Sequence, residues 1–158
     1  MTILKKLFSL SIAVFLGAMA VGASAQTSDK KVLNLEGARK VAAAAEAEAK
    51  KNNWNVVIAI VDDGGNLLYL QRMDGTQTGS IQVAIDKART AQAFKRPTKV
   101  FEDAIAGGRN AILGLNALPL EGGLPVKVGD QVVGAIGVSG VTAQQDGQIA
   151  KAGADTVN

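Results

Sequence analysis

Trp54-Asn55-Val56-Val57-Ile58-Ala59-Ile60-Val61, Asp62-Asp63-Gly64-Gly65-Asn66 and Leu67-Leu68-Tyr69-Leu70-Gln71-Arg72 are the three consecutive runs whose reading decides the fold. The first is a continuous β-favouring run, the second a turn cluster and the third another strand, so together they predict a β-hairpin. Both strands are apolar on both faces, which predicts a sheet covered on two sides. A second hairpin is expected where Leu124 to Val128 and Gln131 to Val138 flank Gly129-Asp130. Two antiparallel hairpins separated by helices argue for an α+β fold rather than a parallel dinucleotide-binding sheet.

Outward from the hairpins the period changes to that of helices. Asn34 is placed to cap a helix whose apolar positions are Leu35, Ala38, Val41, Ala42, Ala45 and Ala49. Its alanine-rich face predicts close packing. Ser80 to Phe94 reads as a second helix with Ile81, Ala84, Ile85, Ala88 and Ala91 inward, stopped by Pro97. Thr98 to Gly107 reads as a third. Residues 108–120 stay open, with Ala111 to Leu115 either a short strand or a helical turn. Thr142-x-x-Gln145 fits a capping box for a last helix running to about Ala152.

The N-terminus has Lys5 and Lys6, an apolar stretch from Leu7 to Val21, and Ala23-Ser24-Ala25 before Gln26. That is the order of a secretory signal, so residues 1–25 are expected to be removed and the protein to be periplasmic or secreted. Residues 26–33 read as a short flexible leader and 34–158 as one domain. Cleavage removes two lysines and no acids, lowering the formal net charge from +3 to +1, so the basic balance is no nucleic-acid footprint. After cleavage no membrane segment is expected. With no cysteine the chain cannot carry a lipid-anchoring cysteine, a thiolate nucleophile or an Fe–S cluster. With no histidine it has no Ser-His-Asp triad and no imidazole base.

Several motifs remain. Gly134-x-x-Gly137-x-x-Gly140 lacks the spacing of a dinucleotide cradle, and glycine inside a strand points to close approach of another backbone. Asp62-Asp63 and Asp74-Gly75 read as turn chemistry rather than paired catalytic carboxylates. Ser80 and Lys87 share a helix face with Thr90 nearby, but seven residues of helix span about 10 Å, too far for direct proton transfer. A polar face lining a pocket or meeting water is the better reading. Tyr69 and Met73 are the only tyrosine and methionine after residue 25. They are placed for core packing, yet they are also the remaining candidate haem-iron ligands.

Met73-Asp74-Gly75, Ser80, Lys87-Ala88-x-Thr90-Ala91-x-x-Phe94 and Pro97-Thr98 resemble the middle block of the GlcG/HbpS-like family of haem-degrading domains. Gly122-Gly123-Leu124-Pro125-Val126, Gly129, Val132 to Gly140 and Gln145-Asp146 resemble its C-terminal signature. The resemblance runs from Leu33 onward. It implies a profilin-like α/β/α sandwich on a five-stranded antiparallel sheet, and a homo-oligomer from dimer to octamer. It also implies haem or another tetrapyrrole as cofactor for some members, whose iron sits at or near a histidine that this chain lacks. Val141 stands where relatives often place glycine.

Three functions follow as expectations. The first is an exported accessory protein that binds a small ligand, haem or another tetrapyrrole included, near Arg72, Asp74, Ser80, Lys87, Thr90, Gly122 and Gly123. The second is an enzyme acting on haem or a small organic acid, with Lys87 or Asp74 as the ionisable centre. The third is a structural module assembling as an oligomer.

Overall fold

The computed structural model describes residues 26–157, so the expected signal at 1–25 lies outside the described residues. Residues 31–158 form one compact unit. Its elements, in chain order, are α1 (Leu35–Lys51), β1 (Val57–Asp62), β2 (Leu67–Arg72), α2 (Ser80–Phe94), α3 (Lys99–Ala106), a 3-10 turn (Asn110–Gly114), β3 (Gly123–Val128), β4 (Gln131–Ser139), α4 (Ala143–Ala154) and a 3-10 turn (Asp155–Val157).

The four strands form one sheet in the order β2-β1-β4-β3, antiparallel at every pairing. Both expected hairpins are present. β1 and β4 become neighbours through the register Val57↔Ser139 to Asp62↔Gly134.

The fifth strand implied by the resemblance is not found among the described residues. Ala111 to Leu115, the segment left open between strand and turn, closes on itself instead: Ile112 donates to Arg109 O and Leu115 to Ile112 O. The outer edge of β3 is also partly occupied. Thr98 N–H donates to Gly123 O at 3.0 Å, and Gly123 N–H donates to Thr98 Oγ1 at 2.9 Å.

Every residue from Val57 to Val61 is fully buried, as a central strand covered on two faces requires. Ile58 and Ile60 join Ile136, Val138, Val41 and Ile149 under α1 and α4. Removing each isoleucine side chain from water contributes about 1.5–3 kcal/mol. Val57, Ala59, Val61 and Ala135 face α2 on the other side, against Ala84, Ala88 and Ala91. Small residues dominate that interface, so α2 lies very low on the sheet. A Cβ at Gly137 would overlap the Ala84 carbonyl and the Ala88 nitrogen, and its cross-strand partner Gly123 lies against the Lys87 carbonyl. The glycine motif thus serves close backbone approach.

Both expected helix caps form. Asn34 Oδ1 accepts Gly37 N–H at 2.8 Å, and Thr142 and Gln145 complete the capping box. Leu33 is buried and donates its N–H to Val133 O at 2.9 Å, clasping the start of the compact unit onto β4.

Candidate functional site

β2 delivers Arg72, Met73 and Asp74 to the end of the sheet. Met73 N–H donates to Val56 O at 3.0 Å, and Thr76 N–H returns to Met73 O at 3.2 Å, closing a turn in which Gly75 takes φ +80°. Arg72 and Asp74 are exposed there, while Met73 is half-buried against the core. With Glu46 and Lys50 of α1, Asn55 and Gln71, they line a cleft of about 340 Å³.

Hydrogen bonds fix the wall of this cleft. Tyr69 Oη donates to Gln71 Oε1 at 3.1 Å, Gln71 bonds Glu46, and Lys50 Nζ lies 2.7 Å from Glu46 Oε1. The bond from Lys50 holds the Glu46 carboxyl below its ordinary range; burial opposes this and Gln71 adds to it. Arg72 and Asp74 therefore flank a thioether in a rim that carries both charges.

Ser80, Lys87, Gly122 and Gly123 lie elsewhere, in the interior between α2, β4 and α4. Lys87 Nζ donates to Asp146 Oδ2 at 2.8 Å and to Val138 O at 2.9 Å, with both side chains of the ion pair 3% exposed. Asp146 Oδ1 also accepts Val141 N–H at 3.2 Å. Burial pushes the Asp146 carboxyl up, against the pull of Lys87. Gly122 takes φ +121°, and a Cβ there would come within 2.8 Å of Lys87 Nζ, so only glycine leaves room for the ammonium. Ser139 Oγ donates to Ser80 Oγ at 3.2 Å. The polar face of α2, expected to line a pocket or meet water, is instead turned inward onto β4. Its Ser80 and Lys87 bond to adjacent strand residues rather than to each other.

Thr90 occupies a third place. Its Oγ1 accepts Leu118 N–H at 2.9 Å and pins the 115–118 loop over a cleft of about 460 Å³ lined also by Asp86, Arg89 and Leu115. The seven ligand-binding candidates thus divide among the Arg72–Asp74 cleft, the interior cluster and the Thr90 cleft. Asp62 is the turn residue its sequence suggested: Oδ1 accepts the N–H groups of Gly64 and Asn66, each at 2.8 Å. Among the described residues no three His, Cys, Asp or Glu side chains converge as a metal site, and no helix is long and apolar enough to cross a membrane.

Sequence reasoning missed Asp146 as the partner of Lys87, and missed Glu46, Lys50 and Gln71 as walls of the first cleft. Asp146 carried a faint signal: an acid in the first turn of a helix already marked by its capping box.

A family model described as "Haem degrading protein HbpS-like" matches residues 33–155. The chain is 47% identical to Protein GlcG of Escherichia coli (strain K12) over 111 residues, 70% of this chain and 83% of that protein. A crystal structure of a double mutant of Streptomyces reticuli HbpS superposes with TM-score 0.76 at 34% identity, covering 85% of this chain and 92% of that one. A crystal structure of a PduOC–haem complex gives TM-score 0.72 at 26% identity, covering 80% and 96%. The family model spans nearly all of the compact unit, and with nearly half the aligned residues shared with GlcG, the chain belongs to the HbpS-like family.

Proposed function

We propose that the protein is an exported binder of haem or another tetrapyrrole, held at the Arg72–Met73–Asp74 end of β2. The observation that carries this reading is the cleft there, which sets a thioether beside a guanidinium. The donor set fits the group: Met73 supplies a soft ligand for haem iron, and Arg72 supplies a planar cation for a propionate. Tyr69 is the weaker iron candidate, because its hydroxyl is bonded to Gln71 and the residue does not line the cleft. Haem, when bound, supplies the redox-active iron. The chain's own residues orient it and neutralise its carboxylates.

Binding is favoured over catalysis because Lys87, one of the two ionisable candidates, is spent on Asp146 and Val138 inside the fold. Export is supported by the order of Lys5-Lys6, the apolar stretch and Ala23-Ser24-Ala25, which predicts a periplasmic or secreted chain beginning at Gln26. Self-association is supported by the exposure of Val100, Leu113, Leu115 and Leu120.

Titration of the purified protein with hemin, followed by the Soret band, tests the reading. A saturable, sharp shift is expected, lost in Met73→Leu and weakened about tenfold in Arg72→Ala, the size of one charge-assisted contact. Unsaturable binding that is the same in all three proteins overturns it.

A further inference from the structure

The opposite edge of the sheet carries charge that the Arg72 cleft does not use. α2 ends at Phe94, and its C-cap, Lys95, takes a left-handed conformation at φ +52°. Glycine is the usual occupant there, since a Cβ costs roughly 1–2 kcal/mol. Arg96 follows, its guanidinium 6.0 Å from the centroid of the Phe101 ring. Pro97 then turns the chain beside β3, and the end of α4 closes the other wall. The resulting groove has a volume of about 370 Å³.

Its floor is apolar, formed by Pro97, Leu124, Pro125 and Ala154, and its rim carries Lys95, Arg96, Lys127 and Lys151. The one carboxylate in the lining, Asp155, lies 2.6 Å from Lys151. Lys95, Arg96 and Lys127 pair with no carboxylate among the described residues. Three cations without a carboxylate partner, of which Arg96 also donates to Phe94 O at 3.2 Å, stand above an apolar floor and complement an anion that carries an apolar body.

The edge of β3 says more about the occupant. Pro125 has no N–H to offer, and both polar groups of Gly123 are bonded to Thr98. An added peptide strand would find few ladder bonds. The volume equals that of roughly a dozen waters at ~30 Å³ each, which suits a ligand of about ten non-hydrogen atoms.

We propose that this groove is a second ligand site, for a small amphiphilic anion with one carboxylate or phosphate head and an apolar tail. Arg96 and Lys127 hold the head, and Leu124 and Pro125 receive the tail. No residue of the Arg72 cleft takes part, so failure of one site leaves the other standing.

The test is a titration of the ¹⁵N-labelled protein with sodium octanoate, read from amide chemical shifts. Saturable shifts confined to Lys95, Leu124, Lys127 and Ala154 are expected. They weaken at least tenfold in Lys127→Glu, whose melting temperature stays that of the parent, and they persist in Arg72→Ala. The proposal is overturned if acetate gives the same saturable shifts at the same concentration, since a bare anion site would then suffice. Equal affinity in Lys127→Glu, or loss in Arg72→Ala, overturns it too. So does a response to phosphatidylglycerol vesicles with none to octanoate, which would make the groove a membrane-facing surface.

Discussion

Glu121 has one carboxylate oxygen, Oε2, that is buried without a hydrogen-bond partner among the described residues. Burial raises its pKa above the usual 4.5, with Glu102 and Asp103 adding to the effect and Lys99 and Lys87 opposing it. The folded state therefore holds this proton more tightly than the unfolded chain. Its contribution to stability is full below the unfolded pKa and is lost as pH rises through the folded one. Glu121→Gln should accordingly melt higher than the parent at pH 7, with the gap closing by pH 4; identical melting at both values would count against this account. Lys87 and Asp146 are a buried pair in which each gives the other a hydrogen-bond partner. Lys87→Met strands a buried carboxylate and should cost about 3–5 kcal/mol in urea unfolding, whereas Lys87→Met with Asp146→Leu should cost much less than the two single changes summed. Little of this pairing was legible beforehand. The two residues are 59 positions apart, and no local period connects a lysine in one helix to an aspartate in another. Arg72, Met73 and Asp74 were legible because turn chemistry marks the end of a strand, while Glu46 and Lys50 reach the same cleft from α1 only through the fold.

Elements were easier to read than residues, for a physical reason. Leu67–Arg72 and Ser80–Phe94 have the expected bounds, because the Asp62–Asn66 turn cluster and the Asp74-Gly75 turn bracket the strand, and a repeating alanine stripe gives the helix one face to bury. The 108–120 segment had no such constraint: five residues lie between the Gly107-Gly108 pair and Gly114, too few to establish either period. Caps are the other local signal that survived. Thr142→Ala removes the side-chain acceptor for Gln145 N–H and should cost about 1 kcal/mol, measured by thermal or urea unfolding. A loss below a few tenths would mean that packing of α4 against α1, not its cap, sets where the helix begins. The inward turn of α2's polar face shows where periodicity stops informing: it fixes which residues share a face, but not that a lysine on it will find a buried aspartate.

Across the whole molecule, β1 is sealed on both faces while β2 at the sheet edge stays half-buried, and several large apolar side chains between residues 100 and 120 remain exposed. Val100, Leu113, Leu115 and Leu120 are all at least 42% exposed, with Leu113 at 65%. If these residues meet a second copy, the sedimentation mass of the parent should exceed one chain and fall in Leu113→Asp, whose own unfolding should barely change. A single-chain mass for both proteins would remove self-association from the proposed function. Composition and patterning made the layered α+β plan legible, but strand number was not, because the fifth strand came only from the resemblance and the open 108–120 segment forms a 3-10 turn instead.

The central strand pair has a further consequence, in time rather than in space. β1 is complete at residue 62, but its inner partner β4 ends at residue 139. On a ribosome, the centre of the sheet cannot close until nearly the whole chain has emerged, and such distant pairing folds slowly. The Leu33 clasp waits as well, since its acceptor is on Val133. A nascent chain is thus left unclosed through most of its synthesis, the condition that the export proposed above would require.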